Sequence, residues 1–284
     1  MKIKIDKIAG LLFVSITFCL IFTLFSMNKA DEILWTRIDN GLHYAQPDAP
    51  IASELGDSKI HILKIDPSFY KFELAMASAK HTIAKPIDQW CKQQKFIAGI
   101  NAGMYSLRNF KTATGYMRHY KHVNNKNYKD GFSALAAFNS NDKKLPDFSI
   151  IDMQDSTWQQ KKVNYNSLFQ SIRMIDAQGK QIFWQKNPEL RSSIACLALD
   201  SLNNVLFVFS RSPYSANELS AMLLKLPLHI RTAMYLEGGP EASLYVNTPT
   251  FQLDKKGSWV SKTYETDTNS RFWALPNVLG VRKR

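Results

Sequence analysis

The sequence predicts an α+β fold: a large, mixed, mostly antiparallel sheet with a few covering helices. Two observations carry this. Apolar runs joined by short polar turns outnumber strand–helix–strand units. No GxGxxG follows the first strand and no Walker loop is present, which disfavours a doubly wound parallel sheet.

The elements can be taken in order. Residues 1–30 read as an N-terminal signal or membrane anchor. Lys2, Lys4 and Lys7 precede an uncharged run from Ile8 to Asn28. Its apolar part, Ile8 to Phe25, is just long enough to span a bilayer. A small-x-small cleavage site is missing, which favours an uncleaved anchor through residues 8–28 over a cleaved signal. The remainder, 31–284, would then be extracytoplasmic, periplasmic or secreted, and it has no linker or repeat. Lys59–Ile65 and Phe72–Ala77 read as strands around an Asp-Pro turn. Pro86 opens a short helix with Ile87, Trp90 and Cys91 on one face. Phe96–Ile100, Ser133–Phe138 and Phe148–Met153 read as strands. Arg173–Phe183 reads as a hairpin turned at Gly179, and Ser193–Leu199 with Val205–Phe209 as another. Ser215 and Glu218 form a capping box for a helix with Leu219, Met222, Leu223 and Leu226 on one face, ended by Pro227. Strands at Thr232–Leu236, Leu244–Val246 and Phe272–Val281 complete the sheet.

Composition narrows the function. With 45% hydrophobic and 12% aromatic residues, the chain can fill a core without disulfides. Cys91 and Cys196 sit in apolar settings and read as two buried thiols. Residues 1–30 contribute +3 of the +12 net charge, leaving +9 on the exported part. Outside a membrane such a protein meets anionic lipid, phosphorylated glycan or acidic polysaccharide, not nucleic acid. The dense basic patch, Arg118 to His122 with Lys126 and Lys129, reads as a solvated loop, and Asp254–Lys262 as a solvated turn. The six histidines fall in no ligand spacing, so each reads as structural or exposed. Ser192 and Ser193 lack a His–Asp pattern, so a serine hydrolase is disfavoured.

Chemistry concentrates where short strands stop at polar or glycine residues. Met234 to Tyr245 puts Glu237 and Glu241 around Gly238, Gly239 and Pro240. Two carboxyls at one turn could act as acid and base. Three further stretches share this character: Gly99-Ile100-Asn101-Ala102-Gly103-Met104-Tyr105, Thr112-Ala113-Thr114-Gly115-Tyr116 and Arg191-Ser192-Ser193. In this order and spacing, from Lys59 to the C-terminus, the set resembles the phosphodiester glycosidase family, nearest to bacterial, exopolysaccharide-related relatives of the mammalian uncovering enzyme.

That resemblance implies hydrolysis of a sugar-1-phosphate diester at the anomeric carbon, with a phosphomonoester left on the other partner. Asn101 and Gly103 match its first motif, Arg191 its hairpin arginine, and Glu237, Gly238 and Gly239 its Leu-Asp-Gly-Gly turn. Glu237 stands where the family has Asp, and Pro240-Glu241 where it often has Ser or small residues. Arg191 would hold phosphate. Glu237 would be base or nucleophile, with Glu241 as its partner. Asn101 would orient a hydroxyl or the acid, and amides at Gly103 and Gly238 would bind oxygens. Thr114, Gly239 and Arg271 join the substrate-binding set. No cofactor is expected, although Glu237, Glu241 and Asp176 could ligate a divalent cation. Two other classes stay open: a non-catalytic glycan- or polyanion-binding envelope protein, and hydrolysis of a diester without a sugar.

Overall fold

The computed structural model describes residues 32–284; the predicted anchor at 1–30 lies outside them. Residues Ile33–Arg284 form one compact unit. In chain order the strands begin with β1 (Thr36–Asp39), β2 (Leu42–Ala45), β3 (His61–Ile65) and β4 (Tyr70–Met76). Helix α1 (Ile87–Gln94) leads to β5 (Ala98–Asn101), β6 (Met117–His119), β7 (His122–Asn125), β8 (Ala134–Ser140) and β9 (Phe148–Asp152). Helix α2 (Trp158–Lys162) precedes β10 (Tyr165–Ser171), β11 (Arg173–Ile175), β12 (Ser192–Asp200) and β13 (Val205–Tyr214). Helix α3 (Ala216–Lys225) is followed by β14 (Ile230–Gly238), β15 (Ser243–Asn247), β16 (Gln252–Lys256) and β17 (Asn277–Lys283).

These strands build three antiparallel sheets, in the orders β1-β2-β3-β13-β12-β14-β11, β7-β6-β10-β8-β9 and β16-β15-β5-β17-β4. One core joins all three, through Leu197, Phe207 and Met234 of the first, Phe138 and Phe169 of the second, and Phe72, Ile100 and Leu244 of the third. Strand β12 shows the logic. Ala195, Leu197 and Leu199 face that core, whereas Ile194, Cys196 and Ala198 face a second cluster. Alternate side chains point to opposite faces, so a strand covered on both sides reads as a continuous apolar run.

Helix α3 supplies the second cover with Leu219, Met222 and Leu223. It begins as the sequence predicts: Ser215 Oγ accepts from Glu218 N at 3.1 Å, and Glu218 Oε2 accepts from Ser215 N at 2.8 Å. Helix α1 lays Ile87, Trp90 and Cys91 against Ala75 and Val278. Cys91 and Cys196 are free, buried thiols in different clusters.

Several expectations need correction. The basic patch is not a loop but the β6–β7 hairpin, turned at Tyr120, with Arg118 donating to Tyr165 O and His119 bonded to Ser167 Oγ. Asp254–Lys262 is not one solvated turn. Its first part lies in β16, and Gly257 and Ser258 are buried. The Arg173–Phe183 hairpin is present but short: it turns at Gly179 with Asp176 N donating to Lys180 O and Ile182 N to Met174 O, while the other edge of β11 pairs with β14. The last strand starts at Asn277, since Phe272 and Leu275 pack against α1's cluster. Among the described residues no helix is long and apolar enough to cross a membrane.

Candidate active site

The site lies where the chain passes from the first sheet to the third. Glu237 is the penultimate residue of β14, and β15 begins at Ser243. Between them Gly239–Glu241 makes one 3₁₀ turn, with Pro240 early in it. Gly239 takes φ +70°, which side chains other than glycine's resist. Gly238 is required for a different reason. A Cβ there would lie 2.5 Å from both Ser192 Oγ and Tyr235 OH. The compact turn thus presents two carboxyls within five residues.

Pairing of β15 with β5 brings the first motif to the same place. Asn101, fully buried, accepts through Oδ1 from Ser243 N at 3.0 Å, two residues beyond Glu241. Its Nδ2 has no partner among the described residues, and neither does the buried side chain of Asn277. Asn277 sits at the start of β17, and its carbonyl accepts from Ala102 N. Gly103 follows with φ +70°, packed near Gln170 O, and Thr114 N donates to Met104 O at 2.9 Å. Tyr105 then lines the same cleft as Glu241. Asn101 and Gly103 are thus carried to the corner formed by the turn that bears Glu237 and Glu241, and the Thr114 backbone is bonded to Met104 beside them.

The electrostatics of this corner are unusual. Burial pushes the Glu237 pKa up to about 8. The Gly238 N–H, 3.1 Å from Glu237 Oε1, pulls it down in part, and the Glu241 charge adds to the rise. Glu241 is also raised, by burial first, against its own backbone N–H and Tyr105. The phenols of Tyr105 and Tyr235 are raised as well, by burial and then by the nearby carboxylates. Removing water disfavours the charged form of each, and two like charges together disfavour it further. With its pKa raised above neutrality, Glu237 is mostly protonated at neutral pH.

Arg191 behaves differently. Its guanidinium is exposed and pairs with Glu218, the capping residue of α3. Its backbone is tied to Ser261, with Arg191 N donating to Ser261 Oγ and Ser261 N to Arg191 O. The start of β12 does reach this corner, because Ile194 pairs with Gly238 and Ala195 with Glu237. The expected pairing of guanidinium and acid is nevertheless absent: no ion pair joins Arg191 to Glu237 among the described residues. The Gly238 amide, expected to face substrate, is given to Glu237 instead.

Arg271 lines a cleft of about 840 Å³ together with Glu241, Tyr105 and Trp273. Asp176, suggested as a metal ligand, caps the turn after β11, accepting from Gln178 N and Lys180 N. Among the described residues no three His, Cys, Asp or Glu side chains are grouped so as to hold a metal. Sequence reasoning left out Tyr105, Tyr235 and Asn277. Tyr105 stands in the quoted first motif and Tyr235 in the Met234–Tyr245 stretch, whereas nothing local distinguishes Asn277.

The sequence pattern of the phosphodiester glycosidase family matches residues 94–282, more than half of the 284-residue chain. The chain belongs to the phosphodiester glycosidase family. Among solved structures it is similar to a hypothetical protein from Synechocystis, with TM-score 0.59 and 13% identity over 90% of this chain. The match spans 64% of that chain's length. It is also similar to the catalytic domain of zebrafish N-acetylglucosamine-1-phosphodiester alpha-N-acetylglucosaminidase, with TM-score 0.55 and 12% identity, covering 91% of this chain and 85% of that one. At such identities these likenesses speak to the fold. No curated protein matches in sequence.

Proposed function

We propose that this phosphodiester glycosidase family member hydrolyses glycosyl phosphodiesters of envelope glycans or exopolysaccharide, outside the cytoplasm. The Lys-flanked apolar stretch at the N-terminus supports that location. The observation that carries the catalytic reading is the carboxyl pair: one turn supplies both groups, and burial keeps Glu237 protonated while Glu241 faces an open cleft.

The roles follow from charge. A glycosyl phosphodiester is anionic, and its phosphate is a good leaving group. A neutral Glu237 carboxyl can stand beside that phosphate without like-charge repulsion. It can donate its proton to the bridging oxygen as the anomeric C–O bond breaks. Glu241, as carboxylate, would face the oxocarbenium-like carbon or activate water. Arg271 takes over the phosphate-binding role expected of Arg191, since it lines the cleft with Glu241 and Arg191 is held by Glu218. Asn101 fixes the turn through Ser243 and positions Glu241.

The test is release of reducing sugar from hexose 1-phosphate alkyl diesters by the purified full chain. Glu237→Gln and Glu241→Gln are each expected to lower kcat by ~100-fold or more. Rates unchanged by both substitutions would refute the assignment. Tight binding of phosphorylated polysaccharide with no turnover would assign the site to glycan binding without catalysis. Phosphate-ester cleavage without reducing sugar would assign it to ordinary diesters.

A further inference from the structure

The cleft beside Glu241 is poorly suited to a second sugar. A glycan needs many polar partners along its rim, and here the wall is mostly hydrocarbon. Ile83 is 71% exposed, Leu107 71% and Phe110 53%, and Trp273 and Phe272 continue the apolar surface. Large apolar side chains this exposed and contiguous mark a binding surface. The polar groups are few and sit where the proposed chemistry is: the Glu241 carboxyl, the Tyr105 phenol and the Arg271 guanidinium. Among the described residues no ion pair engages Arg271. At about 840 Å³ the cleft is in the size range of small-molecule sites, which are mostly apolar with a few placed polar groups.

We infer that this cleft takes the hydrocarbon aglycone of a phosphate ester, with Arg271 on the phosphate and Ile83, Leu107 and Phe110 along the tail. Resting on the reading above, this narrows the substrate to an amphiphilic glycosyl phosphodiester of the envelope. The charge pattern fits that occupant: a cation at the head end and apolar wall beyond it. No covalent step is added, because the tail leaves with the phosphomonoester.

Octyl phosphate, which has the head and tail but no sugar, separates the two questions. Its binding to the full chain is measured by calorimetry beside methyl phosphate and inorganic phosphate. Each methylene moved from water onto apolar wall is worth a factor of about four, so octyl phosphate is expected to bind ~100-fold or more tighter than methyl phosphate. Leu107→Glu and Ile83→Glu, both at exposed positions, are each expected to weaken octyl phosphate by ~10-fold or more. Affinity for methyl phosphate, which has no tail, should fall far less than that for octyl phosphate in both. Equal affinity for octyl and methyl phosphate, or octyl affinity untouched by both variants, overturns the inference. A dimer dissociated by Leu107→Glu, with no octyl phosphate binding, assigns the face to a second copy and also overturns it. Tail-dependent binding with no turnover of any sugar diester upholds the cleft and sinks the hydrolase reading alone.

Discussion

Replacing Glu237 by Gln should make the protein more stable in mild alkali while removing its activity. Burial raises the Glu237 pKa from the usual 4.5 to about 8. Between those values the folded state binds a proton that the unfolded chain does not. Stability held by this group is therefore complete below pH ~4.5 and declines as pH rises to ~8. At ~1.4 kcal/mol per pH unit, the whole interval bounds the loss at ~5 kcal/mol. Partial solvent contact at Glu237 reduces this, so a difference of ~2–4 kcal/mol is the reasonable expectation. Gln has the same shape and no charge to desolvate. Urea unfolding of both proteins at pH 5, 7 and 9 reads the effect. The two should be close at pH 5, and the variant should gain progressively toward pH 9. A gap between the curves that stays constant from pH 5 to 9 would refute the claim that Glu237 is protonated by burial.

Three other substitutions test the frame around the site. Asn101→Ala leaves the Ser243 N–H without its acceptor and should cost ~1–3 kcal/mol in urea unfolding, with a larger proportional loss of activity. Asp152→Ala should cost ~3–5 kcal/mol, because it strands Arg173 where the pair's side chains are only 13% and 12% exposed; Arg173→Met added to it should recover part of that. Gly280→Ala puts a Cβ 1.9 Å from the Phe96 ring, so Tm should fall by an amount matching ~1–3 kcal/mol, and Phe96→Leu in the same chain should restore some of it.

What the sequence made legible was local. The capping box at Ser215 and Glu218, the Pro86 helix start and the β12–β13 hairpin each depend on residues a few positions apart, and each is present. What it hid depends on distant partners. Strand β10 contains Asn166, Ser167, Gln170 and Ser171, too polar to read as a core strand. It is buried because Gln170 accepts from Tyr116 N and Lys129 N and donates to Lys129 O and Phe132 O, all contributed from elsewhere. The β6–β7 hairpin was disguised by its charges, which suit an edge strand because they discourage further pairing.

Arg191 shows the same limit at the site itself. A motif fixes where a backbone position falls in a sheet, and the start of β12 does lie beside Gly238. It does not fix where a long side chain goes. Glu218, 27 positions later, is held by the helix cap and offers a carboxylate to Arg191 at the surface. Glu237, protonated by its burial, offers far less to a cation at neutral pH. The guanidinium pairs with Glu218. That arrangement leaves the partly buried Glu237 without a paired cation and its pKa high. A cation paired directly with Glu237 would hold it ionised, since an adjacent opposite charge favours the charged form. In the proposed mechanism, proton donation from Glu237 requires that Arg191 be held elsewhere.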